Sequence, residues 1–134
     1  MNNFKEIFND FVKSFIIKNR QERILSFQKK EKNWEKIINE FHTSFNFKKN
    51  VIVSIKPIEQ YSEIIYMRMK EMGATDECYS LLDYFDGNEY KYSLSDKLDN
   101  TVGFLVETIL YCPKSKIGYY EGGHAKDRYI LKYK

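Results

Sequence analysis

Near the start of the chain, apolar residues recur at steps of three and four, which is the pattern of one helix face. The residues on this face are Phe4, Ile7, Phe8, Phe11, Val12, Phe15 and Ile16. Asn3, with Glu6 three positions later, is typical of a helix-capping pair. This pattern predicts a helix over 3–18. The same spacing predicts a second helix over 31–45, with a stripe formed by Trp34, Ile37, Ile38, Phe41 and Phe45.

Two segments near these helices are short and apolar. Residues 21–28 fit either a further helix or a short strand, because the apolar positions are too few to decide between the two periods. Residues 51–55 are rich in β-branched side chains and are followed by Pro57. They predict a strand, since β-branched residues suit a pleated sheet and proline stops it.

Two longer segments have alternatives. Ile58 to Met72 predicts a helix that ends at Gly73, a common helix-stopping residue, and a strand over 63–69 is the other interpretation. For residues 98–110 the apolar period slightly favours a helix capped by Ser95. A buried strand fits the same segment, because it is also β-branched.

Turn residues predict two hairpins. Asp86-Gly87-Asn88 separates the strand-like runs 78–85 and 89–94, and Gly122-Gly123 lies within the ribbon 116–134. Both are strong reversal signals, because glycine takes positive φ at little cost. In the last run, alternation places Tyr129, Leu131 and Tyr133 on one face and Arg128, Ile130, Lys132 and Lys134 on the other. The second face is mixed, so we expect one side of the sheet to be solvated.

These elements predict an α+β fold in a single domain, residues 1–134. N-terminal amphipathic helices pack on a mostly antiparallel sheet that ends in the C-terminal hairpin. The chain is 43% hydrophobic, enough to supply a core.

No apolar run approaches the ~20 residues that span a bilayer. Charged residues interrupt the start of the chain where a signal peptide would be apolar, and the two cysteines form no disulfide framework, so we expect a cytoplasmic protein. The excess of lysine over arginine is typical of an AT-rich, bacterial or phage genome.

Charge is unevenly distributed along the chain. Residues 71–107 contain nine Asp or Glu against two Lys, whereas residues 1–70 contain eight against fourteen Lys or Arg. Acidic turns of a sheet would explain this segment. It would equally suit a surface that meets a basic partner. The predicted contact acids are Asp76, Glu77, Asp83, Asp86, Glu89, Asp96 and Asp99, with Tyr84 and Tyr90 as aromatic anchors.

The hairpin tip suggests an alternative chemistry. Its polar residues are His124, Lys126, Asp127, Arg128 and Tyr129. Histidine can act as general acid or base near neutral pH, lysine and arginine can hold a phosphate, and tyrosine can stack on a base. An RNA-cleaving site would need a second acid or base, such as His42, Glu121 or Asp127. A polar turn with solvated charges explains the same residues without any activity.

No metal or cofactor is predicted. The two histidines and two cysteines lack the close spacing of a zinc site, and no glycine-rich phosphate loop occurs. RNA binding without catalysis would use the alternating basic and aromatic residues at 90–92 and 129–134, but a pI of about 8.7 is below the strongly basic range. The leading hypothesis is therefore a non-catalytic inhibitor, immunity-like or antitoxin-like, that binds a basic protein such as a nuclease toxin. An RNA-cleaving or RNA-binding protein is the alternative.

Overall fold

A computed structural model describes residues 3–83, 91–124 and 126–134. The described residues form five α-helices and six strands, an α+β fold. The helices are α1 (Phe4–Phe15), α2 (Lys18–Gln28), α3 (Trp34–Glu40), α4 (Ser62–Glu71) and α5 (Leu94–Asp99). The strands are β1 (Ile52–Ser54), β2 (Glu77–Ser80), β3 (Lys91–Ser93), β4 (Thr108–Cys112), β5 (Ile117–Glu121) and β6 (Arg128–Lys132).

Helix α1 begins as its sequence predicts. The Asn3 side chain accepts a hydrogen bond from the Glu6 backbone N–H at 2.9 Å, and its amide donates to the Glu6 carboxylate at 2.9 Å. The helix ends three residues earlier than predicted, because Ile16 takes extended backbone and forms a β-bridge with Phe47. Its predicted apolar face is buried except for Phe4, which is half-buried, so the helical period is confirmed.

The other helix predictions hold with changed bounds. Residues 21–28 are helical, and so is the segment before Gly73, which takes a φ of +102° after α4. The helix predicted over 31–45 is shorter: it starts with a 3-10 turn, Glu31–Asn33, and ends at Glu40. The strand predicted over 51–55 is confirmed as β1.

The strands form one antiparallel sheet in the order β1-β6-β5-β4-β2-β3. The C-terminal hairpin is confirmed: β5 pairs with β6, and Gly122 N–H donates to the Asp127 carbonyl at 2.8 Å across the turn. In the middle of the sheet, Gly118 passes close to β4, where a Cβ would lie 2.6 Å from the Leu110 carbonyl oxygen. The predicted turn at 86–88 lies outside the described residues.

Helices cover both faces of the sheet. Helices α1 to α3 pack on one face with Tyr111, Tyr120 and Leu131, and α4 and α5 pack on the other with Tyr119 and Ile130. Strands β4 and β5 are buried along their whole length. The expected solvated side of the sheet is therefore wrong, since two further helices occupy it.

The helix favoured over 98–110 is also wrong. Helix α5 ends at Asp99, a loop follows, and β4 begins at Thr108. The strand alternative is correct for the second half of this segment. Two strands flank β4 and satisfy its backbone, which local periodicity does not reveal.

Among the described residues, no helix combines the length and the apolar composition needed to cross a membrane.

The two cysteines give a direct test of the core. Cys78 and Cys112 are free and fully buried, and burial raises the pKa of each thiol to about 12. Because the thiolate is the reactive form, we expect labelling by a disulfide reagent at pH 8 to be at least about 100-fold slower in native protein than in denaturant. Absorbance at 412 nm with Ellman's reagent measures both rates. Rapid labelling of either thiol in native protein would contradict this packing.

Candidate functional site

Four segments meet at one end of the sheet, where β5 ends and β4 and β6 begin. At this end Glu121 pairs with Thr108 on one side and with Arg128 on the other. The four segments are residues 41–46, 55–63, 99–107 and 122–127, and we call this region the loop end. Its contacts are described below for the residues that the structure describes.

Glu121 lies buried beneath the loop end and binds the backbone of residues 103–105. Its side chain is fully buried, and its two carboxylate oxygens accept hydrogen bonds from the backbone N–H groups of Gly103 at 2.9 Å and Leu105 at 2.8 Å. The Tyr119 hydroxyl donates to it at 2.8 Å, and Arg128 Nε lies 3.4 Å away, close enough for an ion pair but not aligned as a hydrogen bond. A buried carboxylate is tolerated when it has such partners. Burial, together with the Glu121 charge, raises the pKa of Tyr119, so its hydroxyl stays a donor.

The loop held by Glu121 has an unusual backbone. Gly103 has a φ of +90° and Leu105 a φ of +59°, both in the left-handed region. This conformation costs a residue with a side chain about 1 kcal/mol. The loop exposes three consecutive apolar side chains, Phe104 at 62%, Leu105 at 45% and Val106 at 60%. The fold therefore fixes a strained loop whose apolar side chains face solvent.

Most of the exposed large hydrophobic side chains of the described residues belong to the loop end. Eight large hydrophobic side chains are exposed, and six belong to the four segments: Phe45, Ile58, Tyr61, Phe104, Leu105 and Val106. An open groove of about 440 Å³ lies between residues 60–64 and Val102, so it joins two of these segments. Concentrated exposed apolar surface is typical of an interaction site.

A histidine–carboxylate pair joins two other segments. His42 Nδ1 lies 2.7 Å from the Glu107 carboxylate, although the two residues are 65 positions apart. Both contact the hairpin turn: a Cβ built on Gly123 would lie 3.0 Å from Glu107 Oε1 and 3.7 Å from His42 Cε1. His124 therefore directly follows Gly123, which is in contact with this pair. Sequence reasoning proposed His42 as a possible partner but had no signal for Glu107.

The structure keeps His124, Lys126 and Asp127 together in the turn and gives Arg128 and Tyr129 other partners. His124 and Lys126 are exposed, and the Lys126 N–H donates to His124 Nδ1 at 3.4 Å. Arg128 turns away to Glu121 and donates to Gln60 Oε1 at 3.0 Å. Tyr129 stacks on Tyr120, with ring centroids 6.4 Å apart. Asp127 is half-buried, and its backbone N–H donates to the His124 carbonyl.

Three of the predicted contact acids each lie beside a lysine. Asp76 lies 3.0 Å from Lys70, Glu77 lies 3.5 Å from Lys91, and Asp83 lies 3.6 Å from Lys97. Hydrogen bonds from Lys70 and Tyr66 hold the pKa of Asp76 below its usual range. The negative charge of this part of the surface is thus locally compensated.

The remaining predicted contact residues fall into two groups. Asp99 belongs to the loop end and accepts a hydrogen bond from the Ser62 hydroxyl at 2.6 Å, while Asp96 is exposed on α5. Tyr84, Asp86, Glu89 and Tyr90 lie outside the described residues.

The loop end has an excess of negative charge. By sequence its four segments contain five Asp or Glu against two Lys, and Arg68 of α4 lies 3.7 Å from one of these acids, Glu59. The first fifty residues, which supply the helices on the opposite side of the sheet from α4 and α5, contain eleven Lys or Arg against six acids. In the described part of the chain, no group of three or more His, Cys, Asp or Glu side chains could hold a metal ion.

Comparisons with known proteins do not extend this description: no family model, no curated protein and no solved structure matches the chain.

Replacing Glu121 by Ala removes the acceptor of both loop N–H groups and leaves Arg128 without its buried partner. We expect the free energy of unfolding to fall by about 3–5 kcal/mol, as for other broken buried ion pairs. Glu107→Ala is the control, because it breaks a pair with the exposed His42 and should cost no more than about 1 kcal/mol. Urea unfolding followed by circular dichroism gives both values. Equal losses for the two variants would show that Glu121 has no special structural role.

Proposed function

We propose that the protein is a non-catalytic protein-binding domain and that the loop end is its contact surface for a basic protein. The observation that carries this proposal is the concentration of exposed apolar side chains there, six of eight among the described residues. Burying such side chains on a partner removes apolar area from water, which is the main source of affinity in protein association.

The charge of the surface favours a protein partner over a nucleic acid or a lipid headgroup. Glu59 lies 3.7 Å from Arg68 of α4, which offsets its charge. Glu63, Asp99, Glu107 and Asp127 also belong to the loop end, and their carboxylates repel phosphate. They attract lysine and arginine instead, which steers a basic protein to the surface and excludes acidic ones. An apolar centre with charged residues around it is the usual composition of a protein–protein contact.

Within this proposal, the basic partner is a nuclease toxin, and the chain acts as its immunity-like or antitoxin-like inhibitor. An enzyme that acts on nucleic acid carries a positively charged groove that holds phosphates. An acidic surface with an apolar centre can cover such a groove, because its carboxylates take the places of the phosphates. Of the acids in residues 71–107, Asp99 and Glu107 lie at the loop end, so the proposed partner stays basic while the contact moves away from Asp76, Glu77 and Asp83.

The contact surface can be tested by placing a charge in its centre. The wild-type chain is immobilised and exposed to an extract of the source organism, and captured proteins are identified by mass spectrometry. We expect a basic protein whose affinity falls by on the order of 30-fold or more for Val106→Asp. Met67→Asp is the matched control, because Met67 on α4 is as exposed as Val106, 60% in both, but lies outside the loop end.

Capture alone would not support the proposal. The same protein must fail to bind the Val106→Asp variant and must still bind the Met67→Asp variant. It must also bind more weakly at high salt, since salt screens the carboxylates of the loop end. Equal binding by the two variants, or a captured protein that is acidic, would contradict it.

A second candidate function rests on the His42–Glu107 pair beside the hairpin turn. The 2.7 Å contact with Glu107 would orient the His42 imidazole. His124 directly follows Gly123, the residue whose built Cβ would lie 3.7 Å from His42 Cε1. Two histidines are sufficient for RNA cleavage in principle: one takes the proton of a 2′-hydroxyl as it attacks phosphorus, and the other protonates the departing 5′-oxygen. The product would be a cyclic phosphate and a free 5′-hydroxyl.

Cleavage of total RNA by the purified protein tests this alternative. Activity that falls by about 100-fold or more in both His42→Ala and His124→Ala would support it, since losing a general acid or base has about this effect. No cleavage by the wild-type chain, or cleavage that survives both substitutions, would exclude it.

A further inference from the structure

We infer that the buried Glu121–Arg128 pair positions both halves of the contact surface, so that Phe104 and Val106 are held ready to enter an apolar pocket of the partner. This inference rests on the proposed function and adds to it the residues that set the geometry. Glu121 and Arg128 are positioning residues here, because they act on the partner only through the segments that they hold.

The first half of the surface is fixed by Glu121. Each of its two oxygens takes one backbone N–H of the loop, Gly103 and Leu105, on either side of Phe104. The carboxylate thereby holds Leu105 in a left-handed conformation that a residue with a side chain adopts only under restraint. Without that restraint, the loop would relax and its apolar side chains would lose their fixed direction.

The second half of the surface is fixed by Arg128. Its guanidinium lies beside Glu121, is largely buried, and donates to Gln60 Oε1 at 3.0 Å. Gln60 in turn donates to the Ile55 carbonyl at 3.2 Å. This holds the segment that carries Ile58 and Tyr61. One buried ion pair thus sets the position of two separate apolar segments relative to each other.

A surface fixed in this way has a defined consequence for binding. The conformational entropy of the loop is lost on folding instead of on association, so a bound complex is held more tightly without any additional contact. Loosening the loop should therefore raise the dissociation rate and leave the association rate almost unchanged, as most changes within one interface do. The partner is expected to offer an apolar pocket bordered by lysine or arginine, since Asp99 and Glu107 lie on either side of the loop in the sequence.

Two substitutions loosen the loop without changing its exposed side chains. Glu121→Gln keeps the shape of the buried side chain but turns an N–H donor toward one of the loop N–H groups. Gly103→Ala leaves Glu121 intact and meets no atom within 4 Å, yet alanine strongly disfavours a φ of +90°. The second variant keeps the test valid if the first fails to fold.

Gly73→Ala is the matched control, because Gly73 has a φ of +102° and equally open surroundings but follows α4, outside the loop end. Tyr119→Phe is a second control, since it removes one donor to Glu121 and leaves both loop N–H bonds in place.

The readouts are amide hydrogen exchange by nuclear magnetic resonance and surface plasmon resonance with the basic protein captured by the wild-type chain. For Glu121→Gln and Gly103→Ala we expect exchange at the Leu105 amide to rise by at least about tenfold and dissociation to quicken by about tenfold, while Gly73→Ala and Tyr119→Phe match the wild type. Unchanged dissociation in both loop variants overturns the inference. If Val106→Asp still weakens binding in that case, the proposed function holds without this inference. If Val106→Asp has no effect either, the inference and the proposed function are both wrong.

Discussion

A charged carboxylate on the central strand β5 must be satisfied by the protein, because no water reaches it. Removing a charge from water costs several kcal/mol, which only close polar partners can offset. Glu121 finds them in the backbone of the loop before β4, in Tyr119 and in Arg128. The requirement explains why this loop passes directly over the end of the sheet in a left-handed conformation. The N–H groups of Gly103 and Leu105 face the buried carboxylate, while the side chains of Phe104 and Val106 are exposed to solvent.

The elements that depend on residues close in the sequence could be predicted. The start of α1 follows from its apolar period and from the Asn3–Glu6 cap, all within a few residues. The C-terminal hairpin follows from Gly122-Gly123 between two runs of strand-forming residues. Helix ends were less accurate, because α1 stops where Ile16 meets Phe47, thirty-one positions away, and no local pattern contains that contact.

The elements that depend on contacts with remote parts of the chain could not be predicted in this way. Residues 98–110 have a helical period, yet the second half becomes β4, whose neighbours β2 and β5 come from other parts of the chain. Burial of Glu121 depends on the same pairing, so its role was invisible in a sequence where it stands next to a polar turn. One signal was present: Gly103 interrupts the proposed helix directly before Phe104, Leu105 and Val106, and a glycine followed by an apolar run is unusual inside a helix.

The same limit applies to charge. Counted along the chain, residues 71–107 form an acidic block, but in the fold Asp76, Glu77 and Asp83 each lie beside a lysine from a different element. Charge alone therefore gives a weak basis for locating a binding surface on this protein. Apolar exposure gives a better one, because the exposed side chains of Phe104 and Val106 bury little apolar area in the free chain and lie on a loop whose backbone is strained at Leu105. In the proposed interface, such side chains would supply affinity while the carboxylates of the loop end would govern rate and partner choice, so the apolar loop and the acids would have complementary tasks.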